Sequence, residues 1–238
     1  MNKEFKTRFT VILLGLVTVG VATLGWINFQ KEPDFQLPYD GVWWVERAGH
    51  QVAVRLDPNG PGSQAGIKSG DLLTSINQRE IRTAAERVRL TFQTGIYQKA
   101  TYSLVRQGVP VDVEVVLGAA DRSLNRWQRW IALIYLGIGL YVLLRRWTAP
   151  GSLHFYIFCL TSFVLYSFKY TGKLNDFDWV IYWGNVVAGL LQPALFLHFV
   201  LTFPEKRTVV KKHPWVVPVI YIPGALLLGL HIVVMRMV

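Results

Sequence analysis

With 238 residues, 52% of them hydrophobic and nine of them Trp, the chain is too apolar for an ordinary soluble domain and long enough for one small folded module plus several membrane spans. Its formal charge of +10 does not point to nucleic acid: Phe35 to Leu117 holds nine Lys/Arg against eight Asp/Glu, and the remaining bases mostly flank apolar runs, where they suit lipid headgroups and orientation signals. The lone cysteine, Cys159, excludes a disulfide framework or a thiolate metal cage built from this chain.

In chain order, residues 1–8 read as a cytoplasmic N-terminus whose Lys3, Lys6 and Arg8 precede a first span at 9–29. A cleaved signal peptide is the competitor; the length of the run and the lack of an Ala-x-Ala site favour a retained anchor. Lys31 to Tyr39, with Pro33 and Pro38, is a short linker into a domain at 35–118. Val42 to Val45 and Val52 to Leu56 are strand candidates joined across Ala48-Gly49-His50. Gly60-Pro61-Gly62-Ser63-Gln64-Ala65-Gly66-Ile67 is a turn with one helical turn, and Gly70-Asp71 leads into a strand at Leu72 to Ile76. Thr83-x-x-Glu86 is a capping-box pattern ahead of a helix running to about Thr94, with Ala84, Val88 and Phe92 on one face. Thr101 to Arg106 and Val111 to Leu117, flanking Gln107-Gly108, form a half-buried hairpin.

Four further apolar segments follow, at 127–147, 153–171, 178–203 and 215–235, the last expected to kink at Pro218 and Pro223. With Met1 cytoplasmic, nine bases flank the inner side (Lys3, Lys6, Arg8, Arg145, Arg146, Lys206, Arg207, Lys211, Lys212) against seven outside, and the domain at 35–118 lies outside the cytoplasm. Five spans leave Val238 outside, and the reading expects further spans and an output domain beyond it.

The order of small-residue turn, Ala65-Gly66-Ile67, Gly70-Asp71 and a strand followed by Asn77 resembles the PDZ fold. The resemblance implies an extended peptide added beside an edge strand and packed against the long helix, its terminal carboxylate held by loop N–H groups. The loop corresponds to Pro38-Tyr39-Asp40-Gly41-Val42, the strand to Val42 through Val45 and the helix to Ala84 through Phe92. The candidate binding residues are therefore Tyr39, Asp40, Gly41, Val42, Trp43, Trp44, Ala84, Val88 and Phe92. Asp40 departs from the apolar residue usual there and is expected to oppose a carboxylate, and Trp43 and Trp44 could fill the groove themselves. The alternative use of the domain is packing or homodimerisation.

No His-Glu-x-x-His, Gly-x-Ser-x-Gly or Gly-Asp-Ser-Gly occurs in the chain, so an intramembrane metalloprotease or a serine hydrolase lacks its residues, and neither enzyme activity, metal nor cofactor is expected. Within the spans, Asn185 and Gln192 share a stripe with Phe199 near Gly189, either lining a small-ligand or lipid pocket or bonding between helices. His154 and His198 are expected on one side of the membrane, as packing histidines or as an axial haem pair.

Residues 197–205, Leu-His-Phe-Val-Leu-Thr-Phe-Pro-Glu, look like the span ending found in multi-pass sensor sections of bacterial histidine kinases, although no kinase motif is present. The sequence reading is thus an α+β PDZ-like domain inserted between transmembrane α-helices, with a helical membrane bundle of about five spans. It is a non-catalytic inner-membrane sensory section with its recognition domain on the periplasmic side. Its partners would be membrane lipids, a peptide or protein in the groove and a second copy of the chain, with no nucleic acid. The alternative is a membrane-anchored PDZ adaptor that recruits an envelope protease or another partner.

Overall fold

The computed structural model describes residues 3–47, 49–173 and 175–237. Met1, Asn2, Ala48, Leu174 and Val238 lie outside the described residues, as do the side chains of Lys3, Lys6 and Arg236, so parts of the orientation count and of the first strand connection fall there too. The chain order is α1 (Lys3–Lys31), β1 (Pro38–Tyr39), β2 (Val42–Arg47), β3 (His50–Leu56), α2 (Pro61–Gln64), β4 (Leu72–Ile76), β5 (Arg79–Glu80), α3 (Ala84–Thr94), β6 (Lys99–Arg106), β7 (Val109–Val116), β8 (Gly118–Ala119), α4 (Ser123–Arg145), α5 (Ser152–Ser167), α6 (Asp176–Thr202), α7 (Thr208–Lys212), α8 (Val216–Val219) and α9 (Ile222–Met237). Two compact units result, one of residues 36–121 and one of residues 3–35 with 122–237.

The first unit is an antiparallel sheet in the order β2-β3-β4-β6-β7, with β5 on β4 and a separate β1–β8 ribbon. Its β6–β7 hairpin closes through Gln107 and Gly108, both at positive φ, which matches the twist of the flanking strands. Along β7, Val111, Val113 and Val115 turn inward and Asp112 and Glu114 outward. Leu73, Ile76, Tyr102, Leu104, Val115 and Leu117 are fully buried and make the core. The helix α3 begins at a closed capping box, in which the Glu86 N–H donates to Thr83 Oγ1 and the Thr83 N–H to Glu86 Oε2, and it stops at Gly95 with φ +86°.

The second unit is helical. Among the described residues, four helices are long and apolar enough to cross a membrane: Arg8–Lys31, Ser123–Arg145, Asp176–Thr202 and Val216–Met235. The segment expected to span at 153–171 departs from the five-span reading. Its helix α5 has 16 residues, about 24 Å at 1.5 Å per residue and short of a usual span, before the chain turns extended at Phe168. It packs on α1, α4 and α6 and buries Tyr156, Phe158, Cys159, Leu160 and Phe163, so its apolar surface faces protein on several sides. The last apolar stretch is divided into α8 and α9, the break falling between Pro218 and Pro223.

Candidate peptide-binding groove

The terminal position of β2 in the sheet order leaves one edge of that strand without a partner strand among the described residues, and α3 lies beside it. Between them runs a groove of about 300 Å³. Its strand and loop wall is Pro38, Tyr39, Asp40, Val42, Trp43 and Trp44; its helix wall is Arg87, Val88, Thr91 and Phe92. Apolar surface is presented here: Trp43 is 55% exposed, Val88 43% and Phe92 38%.

The turn after β3 builds the loop that closes one end. The Gly62 N–H donates to Asp40 O at 2.6 Å and the Asp57 N–H to Gly41 O at 2.8 Å, so the loop is hung on the Gly60-Pro61-Gly62 turn. Gly41 sits at φ +75°, and a Cβ there would stand 2.8 Å from Gly60 Cα, so both the conformation and the crossing of two backbones require glycine.

Asp40 does not face a ligand as the sequence reading expected. It is 6% exposed and turned inward: Oδ1 accepts the Val42 N–H at 3.0 Å, and Oδ2 accepts the Trp44 indole N–H at 2.9 Å and the Tyr102 hydroxyl at 3.1 Å. Burial, with the Asp40 carboxylate beside it, pushes the Tyr102 phenol far above its ordinary value, which keeps it a donor. Burial and the hydrogen bond to Asp57 likewise raise Tyr39.

The two tryptophans do not fill the groove together. Trp44 is held against Tyr102 at the floor, with ring centroids 6.3 Å apart, while Trp43 stays open with the Arg55 guanidinium 5.3 Å from its ring. The structure gathers Tyr39, Asp40, Val42, Trp43, Trp44, Val88 and Phe92 around the groove. Gly41 and Ala84 do not line it: Gly41 packs against Gly60 and Pro61, and Ala84 spends its N–H on Glu46 Oε2 at 3.2 Å. Arg87, Thr91 and Tyr102 were missed. The first two sit three and seven residues beyond Ala84, on the helix stripe that a search for apolar periodicity passes over when it meets polar residues.

The intramembrane candidates are not brought together. Asn185 donates to Leu165 O at 2.8 Å and Phe168 O at 2.9 Å, capping the C-terminal end of α5. It also borders an apolar groove of about 510 Å³ with Gly189, Leu227 and His231, which neither Gln192 nor His198 lines. His198 Nδ1 is 2.9 Å from the Tyr221 hydroxyl and His154 Nε2 is 2.9 Å from Leu195 O, with ring centroids 4.3 Å apart. That spacing leaves no room for a porphyrin, so the haem-pair alternative fails on geometry.

Comparison with known proteins supports the PDZ resemblance. The PDZ domain family matches residues 52–92, and the chain carries a PDZ domain. A probable periplasmic serine endoprotease DegP-like from Brucella suis biovar 1 (strain 1330) is 27% identical over 104 residues, 44% of this chain and 20% of that protein. A second, from Bartonella henselae, is 25% identical over 111 residues, covering 46% and 22%. The chain thus spans about a fifth of the length of these relatives. Among solved structures, the HtrA3 PDZ domain bound to a phage-derived ligand is similar with a TM-score of 0.32 and 14% identity, over 35% of this chain and 86% of that one. Neither the family match nor these relatives support the resemblance of residues 197–205 to histidine-kinase sensor sections.

Proposed function

We propose that this chain is a membrane-anchored PDZ protein that holds an extended peptide or a partner protein in the groove between β2 and α3, without catalysing a reaction on it. The observation that carries the reading is the groove itself, an unpartnered strand edge facing the exposed apolar wall of Val88 and Phe92. An edge strand supplies main-chain hydrogen bonds and the helix wall supplies selectivity. Sequence relatives with endoprotease names make a protein of the envelope proteolysis machinery the leading partner class. The bases Lys3, Lys6 and Arg8 ahead of the first apolar run and the apolar helices support anchoring in the inner membrane with the PDZ domain on the periplasmic side.

The reading is tested on the full chain in lipid nanodiscs, panned against a random peptide library. Val88→Glu places a charge on the groove wall at a partly exposed position, so it is expected to weaken selected peptides at least tenfold while leaving the thermal midpoint in place. Peptides that bind this variant as well as the parent would remove the groove from the function.

A further inference from the structure

Resting on that peptide-binding reading, we infer that the groove takes an internal, extended peptide segment with an acidic side chain, and that the seat a peptide C-terminus would use is filled by the protein's own Asp40. A terminal carboxylate is captured when consecutive loop amides converge on it. In this loop the position of such an anion is occupied from within. Asp40 Oδ1 takes the Val42 N–H, the first amide of β2, and Oδ2 collects two side-chain donors, Trp44 Nε1 and the Tyr102 hydroxyl. A carboxylate arriving from solvent would have to displace a buried acceptor that already has three donors, and would meet a like charge beside it.

The rest of the groove still suits a peptide. The free edge of β2 is unaffected by the Asp40 contacts, because Val42 begins the strand and its later residues keep one face of their backbone unpaired by β3. The helix wall adds a charge preference: among the described residues the buried Nε of Arg87 has no hydrogen-bond partner, and Arg87 borders the groove one turn before Thr91. A guanidinium N–H that is buried and unpaired favours an acceptor that is itself charged. The ligand chemistry that answers these features is a strand passing through the groove, apolar where it meets Val88 and Phe92 and carrying Asp or Glu where it meets Arg87.

The test uses the full chain in nanodiscs and fluorescein-labelled peptides selected from a random heptapeptide array, each made as the C-terminal acid, as the C-terminal amide, and with its acidic residues changed to amides. Expected are acid and amide affinities equal within about twofold, and a loss of at least fivefold when the internal acidic residue is neutralised, a loss that Arg87→Ala removes. A tenfold preference for the free C-terminal acid overturns the inference while leaving the peptide reading intact, and indifference to the internal acidic residue overturns its charge assignment. Failure of every peptide form to bind overturns the peptide reading itself. Asp40→Ala opens the amide seat and is expected to create a tenfold preference for the acid. The acid-against-amide comparison on the parent protein decides the matter whether or not that variant folds.

Discussion

Gly62→Ala is a sharp perturbation because the added methyl has one direction to go and that direction is occupied. A Cβ at this position would stand 2.5 Å from Val42 Cγ2 and 2.8 Å from Asp40 O. Apolar carbons settle about 3.5–4.0 Å apart, so roughly 1 Å of separation must be found by moving the loop or the start of β2. Overpacking of this kind costs about 1–3 kcal/mol. Ala in a helical turn returns about 0.4–1 kcal/mol through the unfolded chain. A net loss near 1–2 kcal/mol remains, which for a domain of this size lowers the melting midpoint by roughly 5–15 °C. The measurement is a near-ultraviolet circular dichroism melt of the full chain in nanodiscs. Gly137→Ala in α4, where an added Cβ meets nothing within 4 Å, serves as the companion expected to leave the PDZ-domain transition unmoved. A Gly62→Ala protein that melts with the parent would refute the close approach of the turn to the loop.

Two other expectations concern stability. The Asp71 carboxyl would be raised by its burial, but the paired bonds from Arg106 at 2.8 and 2.7 Å and the Lys68 N–H at 2.8 Å outweigh that and hold it below the usual carboxylate range. A depressed folded-state value stabilises the fold above the ordinary carboxylate pKa near 4 and loses that contribution as the pH falls through the folded value. Urea midpoints should therefore drop between pH 5 and pH 2 more steeply in the parent than in Asp71→Asn, and parallel profiles would dismiss the pair as the source. In the helical unit, Asn185→Val strips two carbonyls at the end of α5 of their donor, which by the scale of interhelical bonds in membranes costs about 1–2 kcal/mol. Unfolding in mixed micelles reads this directly, and an unchanged midpoint would mean the two bonds add nothing.

Local chemistry made much of the PDZ domain legible before any coordinates. Thr83 and Glu86 are three apart because a capping box needs that spacing, and Gln107-Gly108 ahead of the alternating Val111, Val113 and Val115 marks a hairpin turn. The helical half was less transparent. Residues 153–171 are mostly apolar, and composition alone does not separate a spanning helix from a shorter one wrapped by its neighbours; the bonds at the end of α5 come from Asn185 of α6, twenty residues beyond Leu165. Asp40 was legible as an exception to its family's loop, but its direction was not. The donors that turn it inward lie on β2 and on β6, the latter sixty-two residues further along the chain, and only the assembled sheet brings Tyr102 beneath the loop.

The bond between the Trp44 indole and Asp40 also gives the domain an optical handle. Indole emission responds to the loss of a charged acceptor at its N–H, and Trp44 is fixed at the floor of the groove while Trp43 beside it is open to solvent. A ligand that dislodges Asp40 removes the charged acceptor from the Trp44 N–H and adds that shift to whatever contact with the ring produces, so the difference in ligand response between the parent and Trp44→Phe reports the fate of the Asp40 bond without any label on the ligand.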